Sequence, residues 1–102
     1  MSTSGGMRSV VLAVRGNGGV LAVSGEGIAF RPVHVKLINE TTGAEAEWFA
    51  TMADDSMFKR LTGGVSSTVT ADGVTPLANG FQLGADSDLN NDDDLIHVRA
   101  DG

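Results

Sequence analysis

The sequence predicts an all-β fold, either an antiparallel β-sandwich or a small barrel, of about eight short strands with at most one short helical turn. Two observations support this prediction. Short segments of alternating apolar and polar residues follow one another closely, and glycine, which occurs 14 times in 102 residues, marks the turns between them. Only 5% of the residues are aromatic, so we expect a core of small aliphatic side chains.

The first two strands are predicted at residues 9–14 and 20–23, which are rich in aliphatic and β-branched side chains. The glycine-rich residues 16–19 between them suit a tight turn, so we predict that these strands form a hairpin. The residues before them are small and show no periodicity. We therefore divide the chain into a flexible N-terminal arm, residues 1–8, and a single β domain, residues 9–102.

The clearest alternation lies in residues 33–39, and a second alternating segment, residues 44–50, follows the turn-forming residues 40–43. We predict that these two strands pair as a hairpin. The second strand places Trp48 on one face and Phe49 on the other. A lone tryptophan among small residues is typical of a core, so we assign Trp48 to the core and leave Phe49 open to an interface role.

The remaining strands are predicted at residues 65–70, 74–77, 81–83 and 95–100, with Asp72 and Gly73 as a turn and Pro76 marking an edge segment. Residues 52–61 are ambiguous. Met57 and Leu61 have helical spacing and Asp54 could cap a helical turn, so a short helix there is one of two alternatives.

The net charge of −6, from 13 acidic and 7 basic residues, argues against a nucleic-acid partner, because such proteins concentrate lysine and arginine on one face. The basic residues are scattered, so no polybasic membrane surface is expected either. The absence of cysteine excludes disulfides, thiolate zinc sites and cysteine nucleophiles. No apolar run is long enough for a membrane span, and we expect synthesis in the cytoplasm without export.

The sequence offers little catalytic chemistry. His34 and His97 are the candidate general bases, and each falls on the polar face of a predicted strand. A Gly-x-Ser-x-Gly nucleophile motif is missing. We therefore predict that the protein is not an enzyme, with no catalytic residue and no cofactor.

An acidic loop provides a weak calcium candidate, because oxygen ligands recur at every second position, at Asp86, Asp88, Asn90 and Asp92. An EF-hand loop, however, needs glycine at its sixth position and glutamate at its twelfth, where this chain has Asn91 and His97. The alternative is a solvated turn whose side chains hydrogen-bond to their own backbone. We favour this alternative and predict no metal.

Several short motifs, taken in order, resemble small virion structural proteins of tailed phages. The likeness covers about residues 30–100, and the sequence departs from the pattern at residues 91–94. The resemblance implies a short, β-rich structural protein. The motifs are Phe30-x-Pro32-x-x-Val35, Ala46-Glu47-Trp48-Phe49, Gly73-Val74-Thr75-Pro76-Leu77, Gly80-Phe81-x-x-Gly84-Ala85-Asp86-x-Asp88-Leu89-Asn90 and Ile96-His97.

Within that class we expect a capsid decoration (cement) protein, because the chain has the size of a stand-alone domain and its arm could lie across a capsid. Such a protein binds the outer surface of the virion head and stabilises contacts between subunits of the major capsid protein. We expect a homotrimer. The alternative is a tail or fibre component that acts as an adaptor or as a glycan-binding or receptor-binding module, through Trp48 or the acidic loop. The residues expected to reach the capsid partner are Met1, Ser2, Thr3, Ser4, Met7, Arg8, Phe49 and Met57.

Overall fold

A computed structural model describes residues 8–25 and 27–102. Within them it shows the predicted all-β fold, with eight antiparallel strands and no helix, in a sheet that is nearly closed into a barrel. The order of the strands across the sheet is β1-β8-β3-β4-β5-β6-β7-β2. The strands are β1 (Ser9–Arg15), β2 (Leu21–Ser24), β3 (His34–Asn39), β4 (Glu45–Phe49), β5 (Ser56–Arg60), β6 (Ser66–Leu77), β7 (Gly80–Leu83) and β8 (Leu95–Asp101).

The predicted hairpin of β1 and β2 is wrong, although both strands exist. β1 pairs with β8 and β2 pairs with β7, at opposite ends of the sheet order. The glycine-rich residues 16–19 do not form a hairpin turn. They allow the acidic loop to approach the backbone closely. A Cβ atom on Gly16 would lie 2.2 Å from the carbonyl oxygen of Asn91, and the Gly16 N–H donates to the Asp94 carbonyl at 2.9 Å. Glycine is needed there because the acidic loop packs directly against it.

The predicted hairpin of β3 and β4 is confirmed. The two strands pair antiparallel, with Val35 opposite Trp48, and both of these side chains are buried. The Asn39 side chain closes the turn, because its Oδ1 accepts the N–H groups of Thr41 and Thr42 at 2.8 and 3.0 Å. The alternation of apolar and polar residues in β3 and β4 and the turn between them therefore favour the same hairpin.

The helical alternative at residues 52–61 is wrong, because residues 56–60 form β5. The inward side chain of Met57 and the outward side chain of Phe58 show the two-residue period of a strand. The next strand, β6, pairs with β5 along its first half and with β7 along its second half. The predicted turn at Asp72 is an irregularity within this strand, where φ of Asp72 is 60° and the pairing register shifts.

One apolar core lies inside the curved sheet. Trp48, with 2% of its surface exposed, is the largest buried side chain, and its indole N–H donates to the Ala53 carbonyl at 3.2 Å. This confirms the assignment of Trp48 to the core. The other fully buried large side chains are Phe81, Ile28, Leu37, Met57, Leu83, Leu89, Ile96, Val23, Val35, Val74 and Val98.

Candidate functional site

The outer face is the convex surface that β1, β8, β3, β4 and β5 turn away from the core. Cross-strand pairing aligns its side chains in rows, because alternate residues of each strand point outward. The central row continues across all five strands. It consists of Val11, Arg99, Lys36, Glu47 and Phe58.

Large apolar side chains are exposed on this face. Val11 is 74% exposed, Phe49 46%, Ile38 41% and Phe58 39%. A shallow depression of about 270 Å³ lies among Val11, Lys36, Ile38, His97, Val98 and Arg99. Exposed apolar groups on a surface that is otherwise polar are typical of protein interaction sites.

The charged side chains of the outer face are held in pairs. Lys36 and Arg60 both approach Glu45, at 3.7 and 3.5 Å, and His97 Nε2 lies 2.8 Å from Glu40. These pairs are exposed to solvent, so each contributes little to stability. They do restrict the side chains, so the face presents a defined pattern of charge.

His34 forms the best-ordered polar cluster of this face. Its Nδ1 lies 2.8 Å from Asp101 Oδ2 and its Nε2 lies 2.9 Å from Glu47 Oε2, so each ring nitrogen faces a carboxylate. A neutral imidazole has only one N–H, and both hydrogen bonds can form only in the imidazolium. The ring also stacks on Phe49, with centroids 4.8 Å apart. The cluster therefore fixes Phe49, a predicted interface residue that this structure places on the surface.

The pKa values of the cluster agree with this geometry. Partial burial alone would lower the pKa of His34, but hydrogen bonds to Asp101 and Glu47 outweigh burial and raise it above the ordinary 6.5. The hydrogen bond from His34 lowers the pKa of Asp101, and Arg99, 3.3 Å away, acts in the same direction. The ion pair therefore persists to higher pH than an unpaired histidine would allow.

We expect the His34→Gln variant to lose stability, on the order of 1 kcal/mol, with a defined pH dependence. A raised pKa in the folded state means that the stabilisation is complete below pH 6.5 and is lost as pH rises through the folded pKa. The difference in free energy of unfolding between wild type and variant should therefore shrink as pH increases. Urea unfolding at several pH values measures it. A difference that grows with pH would contradict a protonated His34 between the two carboxylates. His97→Gln, at a more exposed site, serves as the control.

The other predicted interface residues have different positions. Met57 is fully buried, so the prediction that it reaches a partner is wrong. The reason is that β5 is a strand and turns Met57 toward the core. Arg8 is exposed, but it belongs to the sheet and not to an arm, because its N–H donates to the Gly102 carbonyl at 3.2 Å and its guanidinium lies 5.8 Å from the Phe30 ring centroid. The remaining predicted contacts, Met1, Ser2, Thr3, Ser4 and Met7, lie outside the described residues.

The acidic loop is in contact with a largely buried cation, Lys59 of β5, that sequence reasoning missed. Lys59 Nζ lies 2.8 Å from both Asp86 Oδ2 and Asp88 Oδ2, and we call these residues the Lys59 cluster. Burial alone would lower the pKa of Lys59, but the two carboxylates raise it, so the ammonium stays charged. The Asp86 side chain is only 8% exposed, and its other oxygen accepts the Asp88 N–H at 2.9 Å. No sequence signal pointed to this pairing, because Lys59 lies 27 residues before Asp86.

The remaining calcium candidates do not join the Lys59 cluster. Asn90 is buried and uses its side chain to connect three segments: its Oδ1 accepts the Asn17 N–H at 2.9 Å, and its Nδ2 donates to the carbonyls of Gly19 and Gly84. Asp92 is exposed. Among residues 8–25 and 27–102, no three His, Cys, Asp or Glu side chains are grouped so that they could hold a metal ion.

Two further observations concern the chain as a whole. Within the described part of the chain, no helix has the length and apolar character needed to cross a membrane. Comparisons with protein-family models, with curated proteins and with solved structures found no match to this chain.

Proposed function

We propose that this chain is a structural protein of a tailed-phage particle, a capsid decoration protein that binds the major capsid protein on the outside of the head. The observation that supports docking is the outer face, where exposed Val11, Ile38, Phe49 and Phe58 stand among charged side chains that are already paired. The resemblance of the sequence to small virion proteins supports the choice of particle.

The composition of the outer face suits a protein partner. Aromatic side chains are enriched at the centres of protein interfaces and contribute much of their binding energy. Phe49 and Phe58 lie on adjacent strands, β4 and β5, with Phe58 in the row that contains Glu47 and Phe49 in the neighbouring row. Because strands and the His34 cluster hold these groups in place, little further side-chain entropy is lost on docking.

A decoration protein acts by mass action. A chain that binds only the assembled lattice lowers the free energy of the lattice relative to free subunits, so it makes the head harder to disrupt. Disruption of the head pulls neighbouring subunits apart. A β domain whose core is built from long-range strand pairs can transmit this force between the subunits that it contacts. The tail-module alternative loses its aromatic platform, since Trp48 is buried and cannot stack on a sugar.

The test is binding to heads that lack the protein. We expect the purified chain to bind such heads in proportion to the number of capsid subunits and to raise the temperature at which they release their DNA. The double variant Phe49→Ser with Phe58→Ser should bind at least about tenfold more weakly, because each truncation removes aromatic contact area from the interface. Sedimentation of heads with labelled protein gives the bound fraction.

Val20→Ser is the matched control, because Val20 is 61% exposed but lies in the loop between β1 and β2. It should bind heads like wild type. If the double variant also binds like wild type, the outer face is not the docking surface. If wild type fails to bind heads and intact particles contain only a few copies, the protein belongs to the tail.

A further inference from the structure

We infer that the open edge of β1 pairs with β1 of a second copy of this chain, in an antiparallel arrangement about a twofold axis. This inference concerns the free protein in solution and does not depend on the identity of the particle.

The hydrogen bonds between β1 and β8 show which groups of β1 remain unpaired. Arg8 and Gly102 exchange both N–H···O bonds, at 3.2 and 2.9 Å, and Gly16 N–H donates to Asp94 at 2.9 Å. In an antiparallel ladder, every second residue faces the paired strand. The even-numbered residues of β1 therefore face β8, and the N–H and C=O groups of Ser9, Val11, Ala13 and Arg15 point away from it. No described residue pairs with this edge.

β1 lacks the features that usually protect an open edge. Its sequence, SVVLAVR, has no proline and no charge that points toward the core, and its inward side chains Val10, Leu12 and Val14 are only half-buried. The other open backbone contrasts with it, because β2 has four residues, the open side of β6 contains Pro76 in its second half, and the first half of β6 consists mainly of exposed Ser and Thr. β1 is thus a seven-residue strand with both a free ladder and an incompletely covered apolar row.

Pairing of two β1 strands, with Leu12 at the twofold axis, gives partners to the free backbone groups and also covers the apolar row. In this register Val11 faces Ala13 of the second copy and Ser9 faces Arg15, so every outward N–H and C=O of the odd-numbered residues gains a partner. On the inner side, Leu12 faces Leu12 and Val10 faces Val14. The half-buried apolar row of each copy therefore completes that of the other.

Charge supports the same register. It places Arg8 of one copy opposite Gly16 of the other, and Gly16 is hydrogen-bonded to Asp93 and Asp94 of the acidic loop. The groups of Gly16 that make these bonds face β8, so each Arg8 lies two strand positions from the acidic segment of the second copy, and Arg15 opposes Ser9 and not another arginine. The structure thus favours a twofold dimer in solution, in contrast to the homotrimer that we expected for a capsid decoration protein.

The first test is sedimentation velocity of the full chain. We expect a dimer for wild type and a monomer for Val11→Pro, because proline removes an outward N–H and leaves the bonds to β8 intact. Val65→Lys is the control, since it adds a charge at a residue that is 66% exposed between β5 and β6, four strands from β1, and it should remain a dimer. A wild-type monomer or trimer would overturn the inference, as would dissociation by Val65→Lys alone.

A second pair of variants tests the register and keeps β1 free of proline. Val11→Lys with Ala13→Lys places lysines opposite each other across the axis, and Val11→Glu with Ala13→Glu does the same with glutamates; both side chains are exposed, so each variant should fold. Each alone should be monomeric, and an equal mixture should form a heterodimer. If the mixture stays monomeric while both variants are folded by circular dichroism, β1 does not pair with itself.

Discussion

Replacing Trp48 with alanine is expected to lower the free energy of unfolding by about 3–5 kcal/mol. The side chain is 2% exposed in a core that is mainly aliphatic apart from Phe81, and neighbouring strands fix its surroundings, so the cavity cannot collapse fully. A domain of this size is stable by only about 5–15 kcal/mol. The variant should therefore unfold at a much lower urea concentration or fail to fold.

Circular dichroism in urea measures this change, because Trp48 is the sole tryptophan and its fluorescence disappears with the substitution. Phe49→Ala is the matched control, since the adjacent side chain points to the opposite face and is 46% exposed. It should cost less than about 1 kcal/mol. Equal losses for the two variants would mean that Trp48 does not hold the core together.

Replacing Lys59 with methionine should cost about 3 kcal/mol, the second-largest expected effect. Methionine keeps most of the apolar stem but leaves the buried Asp86 carboxylate without a cation. Lys36→Met removes a lysine that is 37% exposed and 3.7 Å from Glu45, so it should cost less than about 1 kcal/mol. Urea unfolding of both variants compares the stability that a buried ion pair contributes with the stability that an exposed one contributes.

The double variant Lys59→Met with Asp86→Asn sharpens this test. Asparagine keeps the side-chain oxygen that accepts the N–H groups of Asp88 and Leu89 but removes the charge, so part of the lost stability should return. Added calcium should leave the melting temperature of wild type unchanged, because the Lys59 ammonium already lies between Asp86 and Asp88, where a cation would bind. A rise in melting temperature with calcium, reversed by a chelator, would contradict this assignment.

The sequence was sufficient to predict those elements whose contacts lie within one short segment of the chain. The β3–β4 hairpin could be predicted because alternation and turn residues lie within one short segment, and the same alternation placed Trp48 inside and Phe49 outside. The β1–β2 hairpin failed because the glycines at 16–19 looked like a turn, while their role is to approach a loop more than 70 residues away. Glycine spacing does not distinguish these two uses.

The candidate site was harder to predict for the same reason. The His34 cluster joins β3, β4 and β8, and the Lys59 cluster joins β5 to a loop 27 residues later. Each depends on strand order, which single-sequence patterns do not contain. Met57 shows the local form of this problem, because helical spacing and strand alternation both fit residues 56–61, and tertiary packing decided between them.

The position of β8 in the sheet has a consequence for how the chain is made. β8 lies between β1 and β3, yet it follows the other seven strands in the chain. Until residues 95–101 emerge from the ribosome, β1 and one side of β3 have no partner, while the β3–β4 and β5–β6 hairpins can already form. Completion of the sheet thus waits for the synthesis of β8, and loop-closure entropy makes this step slow. Until then, nascent chains on neighbouring ribosomes expose the same two strands to one another.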